Sequence, residues 1–400
     1  MLYWLTELLQ GWLDDRGLFP LVMVMYQQEF RAFGAVLLSF ALVLAFGRRI
    51  IRWLALQKIG DAPEFYNNDL NELMKSRAGT PTMGGILIIG SIAVTVSLLG
   101  DIVHNRYVQL SMIVALWLAF VGGIDDWLKL TASRRSPGQR EGLFAWEKLL
   151  FQLGIGALAG FFLWKAAAGI DGHVLNLPFQ RTYPPTPTVE SIVQPPVVDG
   201  RVIVLGAGMF TILATIVIAG MSNAVNITDG MDGLAPGNLV ITSFALMVIA
   251  WISGSPRAAY FLMVPHVEGT GELMVVAGAM AGACLGFLWF NCSPASVFMG
   301  DTGSLPMGGL VGLVAVATRQ EALLPLLAGI YIFEIGSVIM QTGWFKITKR
   351  TRGQGQRILR CAPIHHHFHL GGWKEQQVVV RFYVISIVLA MIALASLKLR

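Results

Sequence analysis

The chain has 400 residues, of which 55% are hydrophobic and only 13% charged, and its mean hydropathy is +0.63. Soluble domains carry about 25% charged residues, so this composition excludes a water-exposed globular surface, and disorder, collagen and a disulfide scaffold with it. The net charge of +5 sits beside apolar runs rather than in a groove with interleaved aromatics, which gives no support to nucleic-acid binding.

From the amino terminus, the first apolar stretch contains Asp14 and Asp15 and lacks a basic leader or a small-residue cleavage pattern. It is expected to be a retained interfacial segment. Apolar runs then recur near residues 30–46, 84–100, 108–124, 146–164, 202–222, 237–253, 272–289, 304–317, 321–341 and 380–396. A membrane-crossing helix needs roughly 17 to 25 such residues. The runs are too long and too continuously apolar for the alternating strands of an outer-membrane barrel. The expected fold is therefore all-α, a polytopic integral membrane protein with about ten transmembrane helices, forming one transmembrane catalytic domain over residues 1–400.

Loops after the odd-numbered runs hold seventeen Lys and Arg, against eight in the two tails and the even loops. Basic loops stay on the cytoplasmic side. The odd loops, within 47–83, 125–144, 223–236, 290–303 and 342–378, are thus expected to be cytoplasmic, with both termini on the periplasmic face. The longest outward loop, 169–201, carries six prolines and fits a turn-rich or hairpin excursion. Gly278, Gly282 and Gly286 give the seventh run a small-residue face, suited above all to packing inside the bundle. Cys284, Cys292 and Cys361 show no CxxC spacing. Gly206-Ala207-Gly208 falls inside an apolar run, where it is not expected to form a strand-turn-helix phosphate loop.

Chemistry-bearing residues converge on the expected cytoplasmic loops. Asp125 and Asp126 end the third run, and if helix continues there Lys129 shares their face. Asp229-Gly230-Met231-Asp232-Gly233 follows the fifth run, Gly300-Asp301-Thr302-Gly303 the seventh, and Pro363-Ile364-His365-His366-His367 lies in the last loop. Singly, these fit ordinary helix caps, turns or a titrating loop. Jointly, five Asp from three loops would repel one another unless a cation sat among them. Oxygen ligands favour Mg²⁺ or Mn²⁺, and Mg²⁺ is usually completed by substrate phosphates. Since the loops 223–236 and 290–303 contain no Lys or Arg, neutralisation is expected from the ion, Lys75, Lys129 and the histidines. Glu334, inside the ninth run, is either functional or paired within the bundle.

Asp125-Asp126-Trp127-Leu128-Lys129, Asn226-Ile227-Thr228-Asp229-Gly230-Met231-Asp232-Gly233, Gly300-Asp301-Thr302-Gly303-Ser304 and Pro363-Ile364-His365-His366-His367-Phe368 resemble the polyprenyl-phosphate N-acetylhexosamine-1-phosphate transferases. The stretch from Lys75 to Gly85 and the segment from Gly372 to Tyr383 narrow the resemblance to their phospho-N-acetylmuramoyl-pentapeptide transferase branch, over nearly the whole chain. The resemblance implies transfer of phospho-N-acetylmuramoyl-pentapeptide from its UDP carrier to undecaprenyl phosphate, with Mg²⁺, in a homodimer of the bacterial inner membrane. By motif position it implies Asp301 as metal ligand, Asp125 or Asp126 at the lipid phosphate, Asp125 as base if one is needed, and Lys129 offsetting charge. Asn226, Asp229, Gly230, Asp232, Asn291 and Phe298 would line the nucleotide pocket, while Lys75, Thr80, His365, His366 and His367 would contact phosphates or sugar. The alternatives are a GlcNAc-1-phosphate transferase using the same lipid and, from another class, a transporter.

Overall fold

The computed structural model describes residues 2–57, 79–131, 142–184 and 197–398. Lys75 lies outside them. Ten long helices follow the ten apolar runs in order: α1 Gln28–Leu56, α2 Gly85–Leu99, α3 Arg106–Thr131, α4 Ala145–Ala166, α5 Ala207–Thr228, α6 Leu234–Gly254, α7 Leu273–Asn291, α8 Asp301–Ala317, α9 Gly329–Arg352 and α10 Glu375–Ser396. Seven are long and apolar enough to cross a membrane, namely α1, α3, α4, α5, α6, α7 and α10; α2 and α8 are apolar but shorter.

The centre of the bundle is α8, whose every residue is buried and which packs on α3 and α5. Glycine sets these approaches. A Cβ on Gly122 of α3 would lie 2.2 Å from the Asp301 carbonyl oxygen, so only a residue without a side chain lets α3 reach the start of α8. The small-residue face of α7 lies against α1: a Cβ on Gly278 would meet the Ala32 oxygen, and one on Gly286 would meet Val43. That face is therefore used inside the bundle, as the small side chains suggested.

Two stretches depart from the sequence expectation. The ninth run is broken: a short helix Leu324–Leu327 ends at Ala328, whose φ is −113° and ψ 31°, and α9 then runs to Arg352, well past the expected end at 341. Ile330, in the first turn of α9, packs with Met231, Leu234, Val378 and Phe382, so the second piece begins beside the loop after α5. A hydropathy window averages over such a break because the apolar count is unchanged by it. Gly206-Ala207-Gly208, expected within a span, does follow a strand. Ile203–Val204 pairs antiparallel with Val174–Leu175, and Gly206 precedes the first residue of α5. The apolar composition of a two-residue strand merges with the helix after it. This hairpin lies at the end of α5 opposite Asn226, away from the acids.

Candidate active site

The acids meet where α3 ends and α8 begins. Asp125 and Asp126 lie in the last turns of α3, which continues as helix through Thr131. Lys129 therefore falls one turn on from Asp125, with its Nζ 2.7 Å from Asp125 Oδ2. Asp301 opens α8, and oxygens of Asp125, Asp126 and Asp301 all lie within 4.8 Å of one another. All three residues are buried, at 0%, 3% and 8% exposure.

Two unit charges 4.8 Å apart repel by about 3.5 kcal/mol even at an effective dielectric near 20. The structure answers this with two ammonium groups. Lys148, on the first turns of α4, places Nζ 2.6 Å from both Asp125 Oδ2 and Asp301 Oδ2, and Lys129 Nζ also lies 3.6 Å from Asp301 Oδ2. Among the described residues, three carboxylates against two lysines leave one negative charge. The Lys148 ammonium bridges two carboxylates as a shared cation would, so the donor set, all carboxylate oxygen, fits a hard divalent ion.

Asp126 has a further task. Its carboxylate accepts the Asp301 N–H at 3.1 Å, the Thr302 N–H at 2.9 Å and the Thr302 hydroxyl at 2.7 Å. It thereby satisfies the unpaired amides at the α8 start, where the helix dipole favours negative charge. Gly300 precedes Asp301 with no side-chain cap of its own, and Asp126 reaches across from α3 to serve that end. Asp301, the expected metal ligand, lies in a group of three acids that could hold an ion. Asn226, near the end of α5, donates to Asp301 Oδ1 at 2.7 Å and to the Ser304 hydroxyl at 2.9 Å. Its amide thus orients the acid.

The remaining acids lie apart from this trio. Asp232 Oδ2 accepts the Ala295 N–H at 3.0 Å, and its own N–H donates to Glu375 at 2.9 Å. Asn291 accepts the Gly233 N–H and donates to the Val297 oxygen, tying the 229–233 loop to the 292–300 loop. Of the five acids, the three of the trio lie together, and Asp232 holds loops. Asp229 and Gly230 are half-buried at the end of α5. His365 and His366 are buried in the short helix Ile364–His369. A Cβ on Gly230 would lie 2.4 Å from His365 Nε2, which puts the histidine ring against the 229–233 loop. His367 Nδ1 accepts the Arg360 N–H at 3.1 Å. Phe298 and Thr80 are half-buried.

Lys148 was missed because it stands at the edge of an apolar run, where a basic residue ordinarily marks the membrane boundary. Its only sequence signal is a Lys placed just inside the fourth run, on the acidic side.

The Phe298 and Met299 oxygens accept the Gly84 and Gly85 N–H groups, both at 2.8 Å, and the Phe298 N–H donates to the Pro81 oxygen at 2.8 Å. A Cβ on Gly85 would come within 2.1 Å of the Gly303 nitrogen. Residues 81–85 thus brace the loop that delivers Asp301. The model of glycosyl transferase family 4 matches residues 108–319, more than half of the chain. The protein belongs to that family. Residues 78–89 match the phospho-N-acetylmuramoyl-pentapeptide-transferase signature 1, the same segment whose glycines meet the Asp301 loop. The two matches show a phospho-N-acetylmuramoyl-pentapeptide transferase of family 4, active in peptidoglycan synthesis.

Proposed function

We propose that this transferase moves phospho-N-acetylmuramoyl-pentapeptide from its UDP carrier to undecaprenyl phosphate, releasing UMP, at the cytoplasmic face of the bacterial inner membrane. The observation that carries the reading is the buried Asp125–Asp126–Asp301 trio, one charge short of neutrality among the described residues, braced by the segment that matches the signature. Mg²⁺ is the ion we assign to the trio, with Mn²⁺ as a substitute, and when bound it neutralises charge on the diphosphate and holds it in line. A homodimer and both termini on the periplasmic face belong to the same reading.

An oxygen of the lipid phosphate attacks the phosphorus that carries the sugar; the new P–O bond forms as the bond to the bridging oxygen breaks, and UMP leaves with that oxygen. The attacking phosphate is already an anion, so no proton has to be removed. Asp125 suits the role of base poorly, because its carboxylate is engaged by Lys129, Lys148 and the Leu143 N–H at 2.8 Å. Positioning and charge neutralisation suffice for such a transfer, and Lys129 and Lys148 supply the protein's share. We assign Asp229, Gly230, Asp232, Asn291 and Phe298 to the nucleotide pocket, and Lys75, Thr80, His365, His366 and His367 to phosphate and sugar contacts. Asp126 and Asn226 act by aiming α8 and Asp301.

Purified protein given UDP-N-acetylmuramoyl-pentapeptide, undecaprenyl phosphate and Mg²⁺ is expected to release UMP, and no release would contradict the proposal. UDP-GlcNAc in place of the peptide-bearing donor distinguishes the GlcNAc-1-phosphate alternative. UMP released in a single turnover without the lipid would indicate a covalent aspartyl intermediate instead of direct displacement. Transport is disfavoured because Glu334, the acid within α9, has a partner in His365.

A further inference from the structure

Glu334 is fully buried on α9, and its Oε2 lies 2.9 Å from His365 Nδ1, with 0% and 1% side-chain exposure for the two. Neither Glu334 Oε1 nor His365 Nε2 has a hydrogen-bond partner among the described residues. The Nε2 edge is the one turned to Gly230, one helical turn beyond Asn226, the residue that grips Asp301. Because Gly230 has no side chain, that edge is not walled off from the loop.

A buried carboxylate is costly unless an opposite charge meets it, and the His365 imidazole is the one group that can supply such a charge in direct contact with Glu334 among the described residues. The break at Ala328 is what brings Glu334 here, since it starts α9 beside the α5 loop. We propose that Glu334 is a positioning residue: it accepts the Nδ1–H of His365 and holds the ring so that its Nε2 edge faces the substrate diphosphate. This rests on the transferase reading above. Glu334 itself touches no substrate; without its carboxylate the ring is no longer held in that orientation. The ring of His366 lies against that of His365, with centroids 4.1 Å apart.

The test uses the full-length enzyme and two readouts. In the UMP-release assay, Glu334→Gln is expected to raise KM for the UDP-linked donor by roughly 10- to 100-fold, the scale of a charge-assisted hydrogen bond, with a smaller change in kcat. His365→Gln should do the same. The double variant should be within about twofold of His365→Gln, because two members of one pair are not additive. An unchanged KM in Glu334→Gln, or single effects that multiply in the double variant, would overturn the proposal. The second readout needs no folded variant at residue 334. With ¹⁵N-histidine labelling of the unliganded protein, the signals that disappear in His365→Gln are expected to show Nδ1 carrying the hydrogen-bonded proton that Glu334 accepts, and an Nδ1 without a proton would contradict the pairing. This spectrum is decisive even if the donor assayed proves wrong, so the two readings fail separately.

Discussion

Two buried ionic clusters occupy opposite ends of the bundle, and they are built to different sums. At the start of α1, Arg31 makes a two-pronged pair with Glu272, with Nη1 at 2.8 Å from Oε2, and Nη1 also donates to the Leu99 oxygen. The Asp101 N–H donates to Glu272 as well. One charge meets one charge, and the pair ties the starts of α1 and α7 to the end of α2. At the other end, Asp125, Asp126 and Asp301 face, among the described residues, only Lys129 and Lys148. Charges that cancel fasten helices; charges that do not cancel leave room for a cation and its phosphates.

Variants at the two ends should therefore fail differently. The largest effect is expected from Asp301→Asn, which should lower transfer by at least about 10³-fold through loss of a ligand and of transition-state charge stabilisation, with only a small fall in melting temperature, since Lys129 and Lys148 keep Asp125 as their partner. Rates and thermal unfolding in detergent measure both halves. Next, Arg31→Met leaves Glu272 buried and unpaired, and should destabilise by about 3–5 kcal/mol while the folded fraction keeps its rate per molecule. A normal melting temperature would show that the pair does not fasten the helices. Lys148→Gln should reduce transfer by roughly 10- to 100-fold, the range for a lost charge-assisted contact. Higher Mg²⁺ should restore part of that rate, because the ion and the ammonium counter the same carboxylates; rate against Mg²⁺ concentration decides it. The smallest effect belongs to Tyr183 in the hairpin region, whose hydroxyl donates to Asp171 at 2.7 Å and accepts the His266 N–H at 3.0 Å. Tyr183→Phe should cost about 1 kcal/mol and leave transfer unchanged. Burial and the Asp171 carboxylate raise its pKa. A raised acid pKa favours the folded state up to the ordinary tyrosine range near pH 10 and loses that advantage above it, so Tyr183→Phe should flatten the fall in melting temperature above about pH 10.

The apolar runs and the Asp125–Lys129 face were legible because both follow from helix geometry: a run long enough to span, and a spacing of four that stacks side chains. The positions of Asp301 and His365 could be named, but not their partners. Lys148 is 153 residues from Asp301 and Glu334 is 31 from His365, and no local periodicity encodes contacts at such separations. The break at Ala328 is invisible for a related reason, since Leu and Ile flank it on both sides and hydropathy is blind to a change in direction. Asp126 as the cap of α8 combines both difficulties, because a carboxylate on one helix satisfies the amides of another.

We propose that the trio at the junction of α3 and α8 holds one divalent ion. Mn²⁺ binding to the purified protein, followed by electron paramagnetic resonance, tests it most directly. One tightly held Mn²⁺ per chain is expected in the native protein in the presence of the UDP-linked donor, competed by Mg²⁺ and lost in Asp301→Asn and in Asp126→Asn. Binding that is undiminished in Asp301→Asn, or no stoichiometric binding at all, would contradict it.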